Sequence, residues 1–367
     1  MRILFVTSLY SPFQIELVRE VNRISGVEMH AIFTLPQRSA RGSHWREVTY
    51  RDLADRVAVI DEASSDSGII RWVRDQIERR APDVVLAGAM DGPIHRAVDA
   101  PRSRRDYRLG FWNEPPNFQK QGPYRIARRI GFALRLANAD FVLAIGDRAL
   151  RYYGGLVPDA YFVPYGEDLS ACFANPRPPP PDDRLRFLYS GQLIPRQNIR
   201  LLLDATLDVL AARGPRFTLT LAASGPLQTL VDEHVQSNPT FASILRYDRD
   251  YSSWEDRLRP FREADVLLYP SAHAGWGLVI PEAMAAGCIP ITTRYVEAAR
   301  SLVRHDESGF VITPDRASLR NAMLRVLDNP ELLGPMRTPA LASAMSTHAP
   351  HAAQRLVDAI QGTRFAR

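Results

Sequence analysis

Residues 264–288, ADVLLYPSAHAGWGLVIPEAMAAGC, contain two adjacent patterns that point to a ligand site. The first is the apolar run Asp265–Tyr269, which is bounded by charge and by proline and is typical of a buried strand in a parallel sheet. The second is the Gly-Trp-Gly run 275–277, in which two residues without side chains flank one large ring. Backbone N–H groups in such a loop lie open to a ligand, so the stretch predicts a strand followed by a binding loop.

A short helical pattern follows this loop. Pro281 favours a helix start and Gly287 favours a helix end, which leaves Glu282 in the first turn. A strand, a glycine-flanked loop and a helix N-terminus in this order form the arrangement with which open α/β sheets hold phosphates and sugars at the carboxyl ends of their strands.

Residues 275–287, GWGLVIPEAMAAG, together with Ile289-Pro290, resemble the donor-site signature of the family 4 (group 1) nucleotide-sugar glycosyltransferases. The resemblance implies a retaining, metal-independent transferase in which Glu282 binds the ribose hydroxyls of the donor. Ala274 stands where the family usually has a second acidic residue. The transferred sugar and the diphosphate would be held by the loop and the amides that follow it, from Gly275, Trp276, Gly277, Leu278 and Val279.

A second segment, SGQLIPRQNIRLLLDA at 190–205, resembles another signature of the same family. The family has an arginine directly after the glycine Gly191 and a lysine five residues later, both directed at the donor diphosphate. This chain has Gln192 and Gln197 there, and glutamine donates hydrogen bonds without bringing charge. Arg196 is the neighbouring cation that we expect to contribute.

A third glycine loop is predicted at 223–227, ASGPL. The resemblance places its Ser224 and Gly225 beneath the nucleotide.

The length of 367 residues fits two domains of about 170 residues each. The stretch PRPPPPDD at 176–183 predicts a semi-rigid boundary, because consecutive prolines stay extended and cannot join a sheet. We therefore expect an N-terminal domain over 1–173, joined by a C-terminal helix over 346–367, then a linker over 174–183 and a second domain over 184–345. The resemblance implies the GT-B fold, two doubly wound Rossmann-like α/β domains facing across a cleft, with the acceptor in the first and the donor in the second.

The hydrophobic pattern predicts alternating strands and helices in both halves, which implies parallel sheets covered on both faces. Helices are expected around residues 13–24, 69–77, 199–210 and 317–327, and over Ala340–Phe365. The predicted strands are Arg2–Thr7, Val27–Phe33, Arg56–Ile60, Asp83–Ala87, Arg108–Trp112, Phe141–Ile145, Tyr161–Pro164, Leu185–Tyr189, Phe217–Ala222, Ser243–Tyr247, Asp265–Tyr269 and Ser308–Ile312.

Asn113 and Glu114 follow a predicted strand end of the first domain. The family commonly has a histidine near this place, facing the reacting sugar. A carboxylate there could orient an acceptor hydroxyl, and a helix-capping or turn role has equal weight. We therefore regard Asn113 and Glu114 as the candidate catalytic residues.

No cofactor or metal is expected. Asp248-Arg249-Asp250 has the spacing of an Asp-x-Asp metal motif but falls in the loop predicted to seat the base. Cys172 and Cys288 lie far apart in sequence and outside any metal-type spacing, so a disulfide framework is not indicated and a cytoplasmic location is the expectation.

The chain carries 46 Lys+Arg against 41 Asp+Glu, and Lys120 is its one lysine. The segment Pro123–Asn138 has the pattern of a basic amphipathic helix. Two readings remain open: a solvated arginine face on an ordinary packing helix, or a peripheral contact with the anionic inner face of a membrane. No recognised nucleic-acid motif accompanies the charge. The arginines concerned are Arg125, Arg128, Arg129 and Arg135.

The function predicted from these patterns is sugar transfer from a nucleotide-sugar donor to a glycan or lipid-linked acceptor, in polysaccharide, lipopolysaccharide or glycolipid assembly. Because charged donor contacts are absent at Gln192, Gln197 and Ala274, two alternatives stay open. One is a non-catalytic GT-B relative that acts as a binding partner. The other is a transferase for an atypical donor with a single phosphate.

Overall fold

The computed structural model describes residues 1–35, 51–60, 65–90, 92–116, 125–157, 159–174, 183–248 and 255–362. The chain forms two compact units. Unit 1 comprises Met1–Asp168 and His348–Arg367, and unit 2 comprises Leu169–Thr347. Residues 175–182, which contain most of the predicted proline-rich linker, lie outside the described residues.

Strands and helices alternate along the described chain. The strands are β1 Arg2–Thr7, β2 Glu28–Phe33, β3 Val57–Val59, β4 Val84–Ala87, β5 Arg108–Asn113, β6 Phe141–Ala144, β7 Ala160–Phe162, β8 Leu185–Gln192, β9 Phe217–Ser224, β10 Leu245–Tyr247, β11 Val266–Tyr269, β12 Ile289–Thr293 and β13 Phe310–Ile312. The helices are α1 Pro12–Val21, α2 Asp66–Arg80, α3 Gly92–Val98, α4 Arg125–Arg135, α5 Asp147–Tyr153, α6 Ser170–Ala174, α7 Ile199–Arg213, α8 Gln228–Ser237, α9 Pro239–Ile244, α10 Arg259–Glu263, α11 Val279–Ala285, α12 Glu297–Leu302, α13 Arg316–Asp328, α14 Leu333–Met345 and α15 Ala349–Gln361.

Unit 1 contains a parallel sheet with the strand order β3-β2-β1-β4-β5-β6-β7. Ile3 of β1 lies opposite Met29 of β2 on one side and Val84 of β4 on the other. Strands β2 and β3 therefore extend the sheet on one side of β1, and strands β4 to β7 extend it on the other side. The point between β1 and β4, where the strand order reverses, is where open α/β sheets form a crevice at their carboxyl edge.

Unit 2 repeats this plan with the strand order β10-β9-β8-β11-β12-β13. Its reversal lies between β8 and β11, where Phe187 pairs with Val266 and Leu188 with Leu267. These four side chains are fully buried, as expected for central strands covered on both faces. The two parallel sheets confirm the predicted pair of doubly wound Rossmann-like α/β domains.

Local chemistry explains where several helices begin and end. The side chain of Ser65 accepts a hydrogen bond from the backbone N–H of Gly68 and caps α2, and Asp315 caps α13 by accepting from Ser318 at 2.8 Å. Helix α7 ends at Gly214, whose φ of +68° suits a residue without a side chain.

Most predicted elements differ from the observed ones by no more than a few residues at their ends, and two differ more. The strand expected over Ser243–Tyr247 is shorter, because α9 occupies the residues before β10. Asn238 accepts a hydrogen bond from the backbone N–H of Phe241 at 2.9 Å, and the proline that follows Asn238 takes the first helical position. The helical region expected over Ala340–Phe365 is two helices, α14 and α15, separated at residues 346–348, and α15 packs on α1 in unit 1.

Candidate functional site

The candidate site of unit 2 lies at the carboxyl ends of β8, β9 and β11. Three loops meet at this edge, after β8 (193–198), after β9 (225–227) and after β11 (270–278), and we call them the switch-point loops. Because the strands are parallel neighbours across the topological reversal, the loops emerge on the same side of the sheet. Eleven of the twelve residues predicted to bind the donor lie in these loops, at the ends of these strands or just beyond the last loop, and the twelfth, Glu282, lies in the first turn of α11.

The loop after β11 is hydrogen-bonded to the end of β12, the start of α12 and the segment between them. The Thr293 hydroxyl donates to the carbonyl of Ser271 at 2.6 Å, and the backbone N–H of Ala274 donates to the carbonyl of Tyr295 at 3.1 Å. The backbone N–H of Ala298 donates to the carbonyl of Trp276 at 2.9 Å. These bonds hold the loop in a defined shape.

Trp276 anchors this loop from beneath. Its ring is only 2 % exposed, and its Nε1 atom is buried without a hydrogen-bond partner among the described residues. Gly277 has a φ of +99°, and a Cβ at this position would lie 2.7 Å from Cγ1 of Val296. The backbone can therefore adopt this conformation, this close to Val296, only with glycine at position 277. The tryptophan ring is therefore packed inside the protein. The outer surface of the loop near it consists mainly of backbone atoms of the partly exposed residues Gly275, Gly277 and Leu278.

Four backbone N–H groups at the end of this loop and the start of α11 are available as hydrogen-bond donors. Within the part of the chain that the structure describes, no hydrogen bond is made by the N–H groups of Gly275, Gly277, Leu278 or Val279, and all four residues are partly exposed. Successive unpaired amides at a strand end form a concave arrangement that binds anions and polar oxygens.

Glu282 lies in the first turn of α11 and is only 6 % exposed. Its Oε1 atom accepts a hydrogen bond of 3.1 Å from Nε of Arg257, which is itself 9 % exposed and lies on the 3₁₀ turn Glu255–Leu258. The pair is thus a buried, charge-assisted hydrogen bond. Arg257 was not among the predicted site residues, and no local signal separates it from the other arginines of the segment 255–263.

The loop after β8 is linked to the loop after β11 through Arg196. The Arg196 guanidinium donates to the carbonyl of His273 at 3.0 Å, and the backbone carbonyl of Arg196 accepts from the N–H of Ala272 at 2.9 Å. The Arg196 side chain is exposed at this edge. It supplies a positive charge beside the unpaired amides.

The two predicted glutamines are placed differently. Gln192 is exposed at the end of β8, and its backbone carbonyl accepts from the hydroxyl of Tyr189 at 2.8 Å. Gln197 is buried, and its Nε2 atom donates to the hydroxyl of Tyr269 at 3.0 Å. The side chain of Gln197 is therefore directed at a tyrosine of β11.

Tyr189 and Tyr269 form the floor below these loops. Their rings are stacked, with centroids 6.3 Å apart. Burial raises the pKa of both phenols, well above 10 for Tyr189, although the hydrogen bond from Gln197 opposes the shift at Tyr269. Both hydroxyls are therefore neutral at physiological pH, and the floor adds no charge. Gly191, with a φ of +138°, lies above these rings.

The loop after β9 approaches the loop after β8 closely. A Cβ on Gly225 would lie 2.7 Å from the carbonyl oxygen of Leu193, and the N–H of Leu193 donates to the carbonyl of Ser224 at 2.9 Å. The side chain of Ser224 is exposed at the same edge.

Unit 1 holds the two candidate catalytic residues at the carboxyl end of β5. The Nδ2 atom of Asn113 is buried without a hydrogen-bond partner among the described residues. Glu114 is exposed, and its backbone carbonyl accepts from the hydroxyl of Tyr153 at 2.8 Å.

Helix α4 of unit 1 carries an exposed apolar row. The side chains of Ile126, Ile130 and Leu134 are 74 %, 55 % and 69 % exposed. Arg129 is also exposed, whereas the side chains of Arg125 and Arg128 lie outside the description. Among the described residues, no helix combines the length and the hydropathy needed to span a bilayer.

The His, Cys, Asp and Glu side chains of the described residues form no metal-type cluster. Within the described ranges, no three His, Cys, Asp or Glu side chains are grouped so as to hold a metal ion. Two residues of the Asp-x-Asp spacing, Arg249 and Asp250, lie outside those ranges, as does the rest of the predicted base loop beyond Asp248.

The second half of the chain resembles known proteins in sequence. Residues 174–340 match the family described as glycosyl transferases group 1. An uncharacterised glycosyltransferase of Methanocaldococcus jannaschii is 25 % identical over 138 residues, which are 36 % of this chain and 33 % of that protein. The chain therefore matches a third of the length of that curated relative.

Solved structures match the chain over almost its whole length. The apo form of the lipopolysaccharide outer core galactosyltransferase WaaB has a TM-score of 0.72 at 15 % identity, covering 99 % of this chain and 100 % of that one. Sucrose-phosphate synthase of Thermosynechococcus elongatus has a TM-score of 0.73 at 15 % identity, with 99 % of both chains covered. HepE of Anabaena, in complex with UDP, has a TM-score of 0.73 at 16 % identity, covering 99 % and 100 %. The chain thus has the GT-B fold, and its residues 174–340 carry the sequence pattern of the group 1 glycosyl transferases.

Proposed function

We propose that this protein is a retaining, metal-independent glycosyltransferase of the hexosyltransferase type. It would move a sugar from a nucleotide-sugar donor to a glycan or lipid-linked acceptor in polysaccharide, lipopolysaccharide or glycolipid assembly. The GT-B fold, the family match over residues 174–340 and the UDP complex of HepE support this assignment.

The observation that carries the proposal is the placement of four unpaired loop amides near a buried carboxylate at the switch point of unit 2. Glu282 would accept hydrogen bonds from the ribose hydroxyls, because an ionised carboxylate is an acceptor only and suits a pair of hydroxyl donors. The amides of residues 275–279 would hold the sugar and the phosphates. The diphosphate would also meet Gln192 and Arg196, and the nucleotide would lie over Ser224 and Gly225. Gln197, which was expected to face the diphosphate, would instead support the floor of the site through its hydrogen bond to Tyr269.

The proposed reaction forms a glycosidic bond at the anomeric carbon while the bond from that carbon to the donor phosphate breaks. In a front-face retaining reaction the departing phosphate oxygen takes the proton of the acceptor hydroxyl, so a separate side-chain base is not required. Arg196 and the loop amides would stabilise the charge that develops on the leaving phosphate. EDTA is expected to leave the rate unchanged.

In unit 1, Asn113 and Glu114 would orient the acceptor. The buried Nδ2 atom of Asn113 has no hydrogen-bond partner among the described residues, and a substrate oxygen would satisfy it. A structural turn role for Glu114 remains the competing explanation, since its carbonyl already holds Tyr153. Glu114→Gln distinguishes these two roles. If the carboxylate orients the acceptor, the variant should have a raised KM for the acceptor; if Glu114 only shapes the turn, this KM should not change.

The test of the donor site is isothermal titration of wild type and Glu282→Ala with UDP, GDP and ADP sugars. Loss of hydrogen bonds to a charged acceptor should weaken binding about 10- to 100-fold. Glu282→Gln keeps the volume of the side chain and is expected to fold better than Glu282→Ala. Glu307→Ala, an exposed acid paired with Arg304, is the control expected to bind as wild type. Unchanged affinity in both Glu282 variants would refute the site.

One observation favours a second candidate, a transferase for a donor with a single phosphate. Gln197 stands where the family has a lysine, and its side-chain amide donates a hydrogen bond to the hydroxyl of Tyr269. The site therefore offers less positive charge to a diphosphate. A thermal-shift panel of nucleoside monophosphate and diphosphate sugars distinguishes the donors, because the bound one stabilises the fold. No stabilisation by any of them would favour the non-catalytic binding partner instead.

We also propose that α4 attaches the protein to the inner face of a membrane. Ile126, Ile130 and Leu134 recur every four residues and so lie on one face of the helix, exposed. An apolar face combined with arginines is the composition of helices that lie in the interface of anionic bilayers. A lipid-linked acceptor would be presented at such a surface. The arginines proposed to meet the lipid headgroups are Arg125, Arg128, Arg129 and Arg135.

A further inference from the structure

We infer that Arg257 is a positioning residue for donor recognition, which fixes the carboxylate of Glu282 toward the ribose hydroxyls and thereby lets the protein distinguish ribonucleotides from deoxyribonucleotides. This inference rests on the proposed function, because it requires that Glu282 binds the ribose.

The geometry of the pair supports this role. Both residues are more than nine-tenths buried, and Nε of Arg257 lies 3.1 Å from Oε1 of Glu282. Nε is the inner donor of the guanidinium, held close to the backbone, so it restrains the carboxylate more tightly than the terminal nitrogens of a long flexible side chain would. The contact therefore limits the rotamers open to Glu282.

The backbone that carries Arg257 is itself held in the core. The next residue, Leu258, and Phe261 of α10 are each 1 % exposed. Glu282 lies on α11, whose residues 280–285 are all buried. Two anchored segments thus present one cation and one anion to each other, and the orientation of the carboxylate is set before a ligand arrives.

Preorganisation of this kind acts on specificity. A glutamate side chain that must be ordered on binding loses conformational entropy, which offsets the hydrogen bonds it makes. A carboxylate already oriented gains the full benefit of both ribose hydroxyls, and it loses one of the two hydrogen bonds when the nucleotide lacks the 2′ hydroxyl. The ratio of the two affinities therefore reports the orientation of Glu282, whereas a general loss of stability lowers both affinities together.

The experiment measures the dissociation constants of UDP and 2′-deoxy-UDP by titration calorimetry. Wild type should prefer UDP by about tenfold or more, the value of a hydrogen bond to a charged group. Arg257→Lys keeps the charge but loses the planar fork, and it should reduce the preference to within about threefold, mainly by weakening UDP binding.

Arg186→Lys is the matched control. Arg186 forms another well-buried arginine–carboxylate pair of unit 2, with Nε 3.0 Å from Oδ2 of Asp265. Asp265 precedes β11 and lies at the end of the sheet opposite the switch-point loops. The control variant should lose stability and keep the preference for UDP.

A double variant covers the case in which Arg257→Lys fails to fold. Arg257→Met combined with Glu282→Gln removes both buried charges together, and this variant should bind UDP and 2′-deoxy-UDP equally. In a Glu282→Gln background, Arg257→Lys should not change the ratio further.

The outcomes separate the inference from the proposed function. If wild type prefers UDP and Arg257→Lys keeps the same ratio, or weakens both nucleotides equally, the positioning role is overturned while the donor site stands. If wild type, shown to be folded, binds neither UDP, GDP nor ADP, the proposed function fails and the inference fails with it.

Discussion

Gln197 and Tyr269 are joined by a buried hydrogen bond of 3.0 Å, from the side-chain amide of the first to the hydroxyl of the second. The two residues belong to the segments that follow β8 and end β11, so the bond spans the topological reversal of unit 2. It uses one of the glutamine amide hydrogens, and the Oε1 atom of Gln197 is buried without a partner among the described residues. The floor of the candidate donor site is therefore held together by neutral groups.

Removing the hydroxyl of Tyr269 should destabilise unit 2. Tyr269→Phe leaves the amide of Gln197 without its acceptor, and a buried donor without a partner costs about 1–3 kcal/mol. The free energy of unfolding in urea measures this loss. Tyr189→Phe, which releases the carbonyl of the exposed Gln192, should cost less because water can reach that carbonyl. Equal stabilities for Tyr269→Phe and wild type would contradict the bond.

Gly225 should tolerate no side chain. In Gly225→Ala the added Cβ meets the main chain of Leu193, which cannot swing aside as a flexible side chain would. Gly214→Ala is the matched control, since Gly214 also has a positive φ but faces open space. Both variants bear backbone strain of about 1 kcal/mol, and Gly225→Ala should cost about 1–3 kcal/mol more. Urea unfolding compares the two, and equal costs would mean that the loops after β8 and β9 move apart freely.

Arg196 should contribute charge to phosphate binding. Arg196→Gln is expected to weaken binding of UDP about tenfold at low salt, because a charge-assisted hydrogen bond to phosphate is replaced by a neutral one. The difference from wild type should shrink as salt rises, since an exposed charge is screened. Arg200→Gln, an exposed neighbour on α7, is the control. A salt-independent effect in titration calorimetry would indicate that Arg196 acts by tethering His273.

The apolar row of α4 should govern membrane binding. Wild type is expected to co-float with vesicles of mixed neutral and anionic lipid, and less with neutral vesicles, because arginines add attraction to an anionic surface. Replacing Ile126 and Ile130 by Ser should reduce binding at least about tenfold through the loss of two buried aliphatic side chains. Leu341→Ser, an exposed leucine of unit 2, is the control. Absence of binding to either vesicle would leave α4 as a solvated surface helix.

Acidification should destabilise unit 1 through His348. Burial holds the pKa of His348 below its ordinary value of 6.5, and Asp168 opposes this shift only partly. The unfolded chain then binds more protons than the folded one near that pH, so this contribution is fully present above pH 6.5 and is lost as the pH falls through 6.5 toward the lower folded pKa. Burial of His30 acts in the same direction.

Thermal unfolding between pH 7.5 and 5.5 measures this effect. His348→Gln should show a shallower fall in stability than wild type, whereas His351→Gln, an exposed neighbour on α15, should follow wild type. A fall of the same steepness in His348→Gln would assign the acid sensitivity to other groups.

The arrangement of strands and helices could be predicted because its signals are local. Apolar runs and 3.6-residue periodicity placed β1 at Arg2–Thr7, and they placed α2 and α13 to within a few residues of their observed bounds. The fold class followed from the same alternation. The strand expected over Ser243–Tyr247 begins only at Leu245, because the capping pattern Asn238-Pro239 extends helix α9 to Ile244.

The candidate site could be predicted only in part. The glycines and Glu282 are recognisable from spacing, but the partner of Glu282 is one of several arginines in the segment 255–263 and is 25 positions away in sequence. The amide of Gln197 was expected to face a diphosphate, and its contact with Tyr269 depends on two strands being neighbours. Likewise, the pattern of α4 does not reveal that Phe132 packs against Tyr152 while Ile126 and Leu134 remain exposed.

The sequence alone thus determined the two-domain α/β plan and the position of a loop of glycines and a carboxylate at a strand end, because periodicity, turn residues and helix signals act over a few neighbouring residues. Only the tertiary structure decided which charge meets Glu282, where the amide of Gln197 points and which apolar side chains of α4 stay exposed. Those outcomes depend on contacts between segments far apart in the chain, and such contacts are set when the sheets assemble and exclude water.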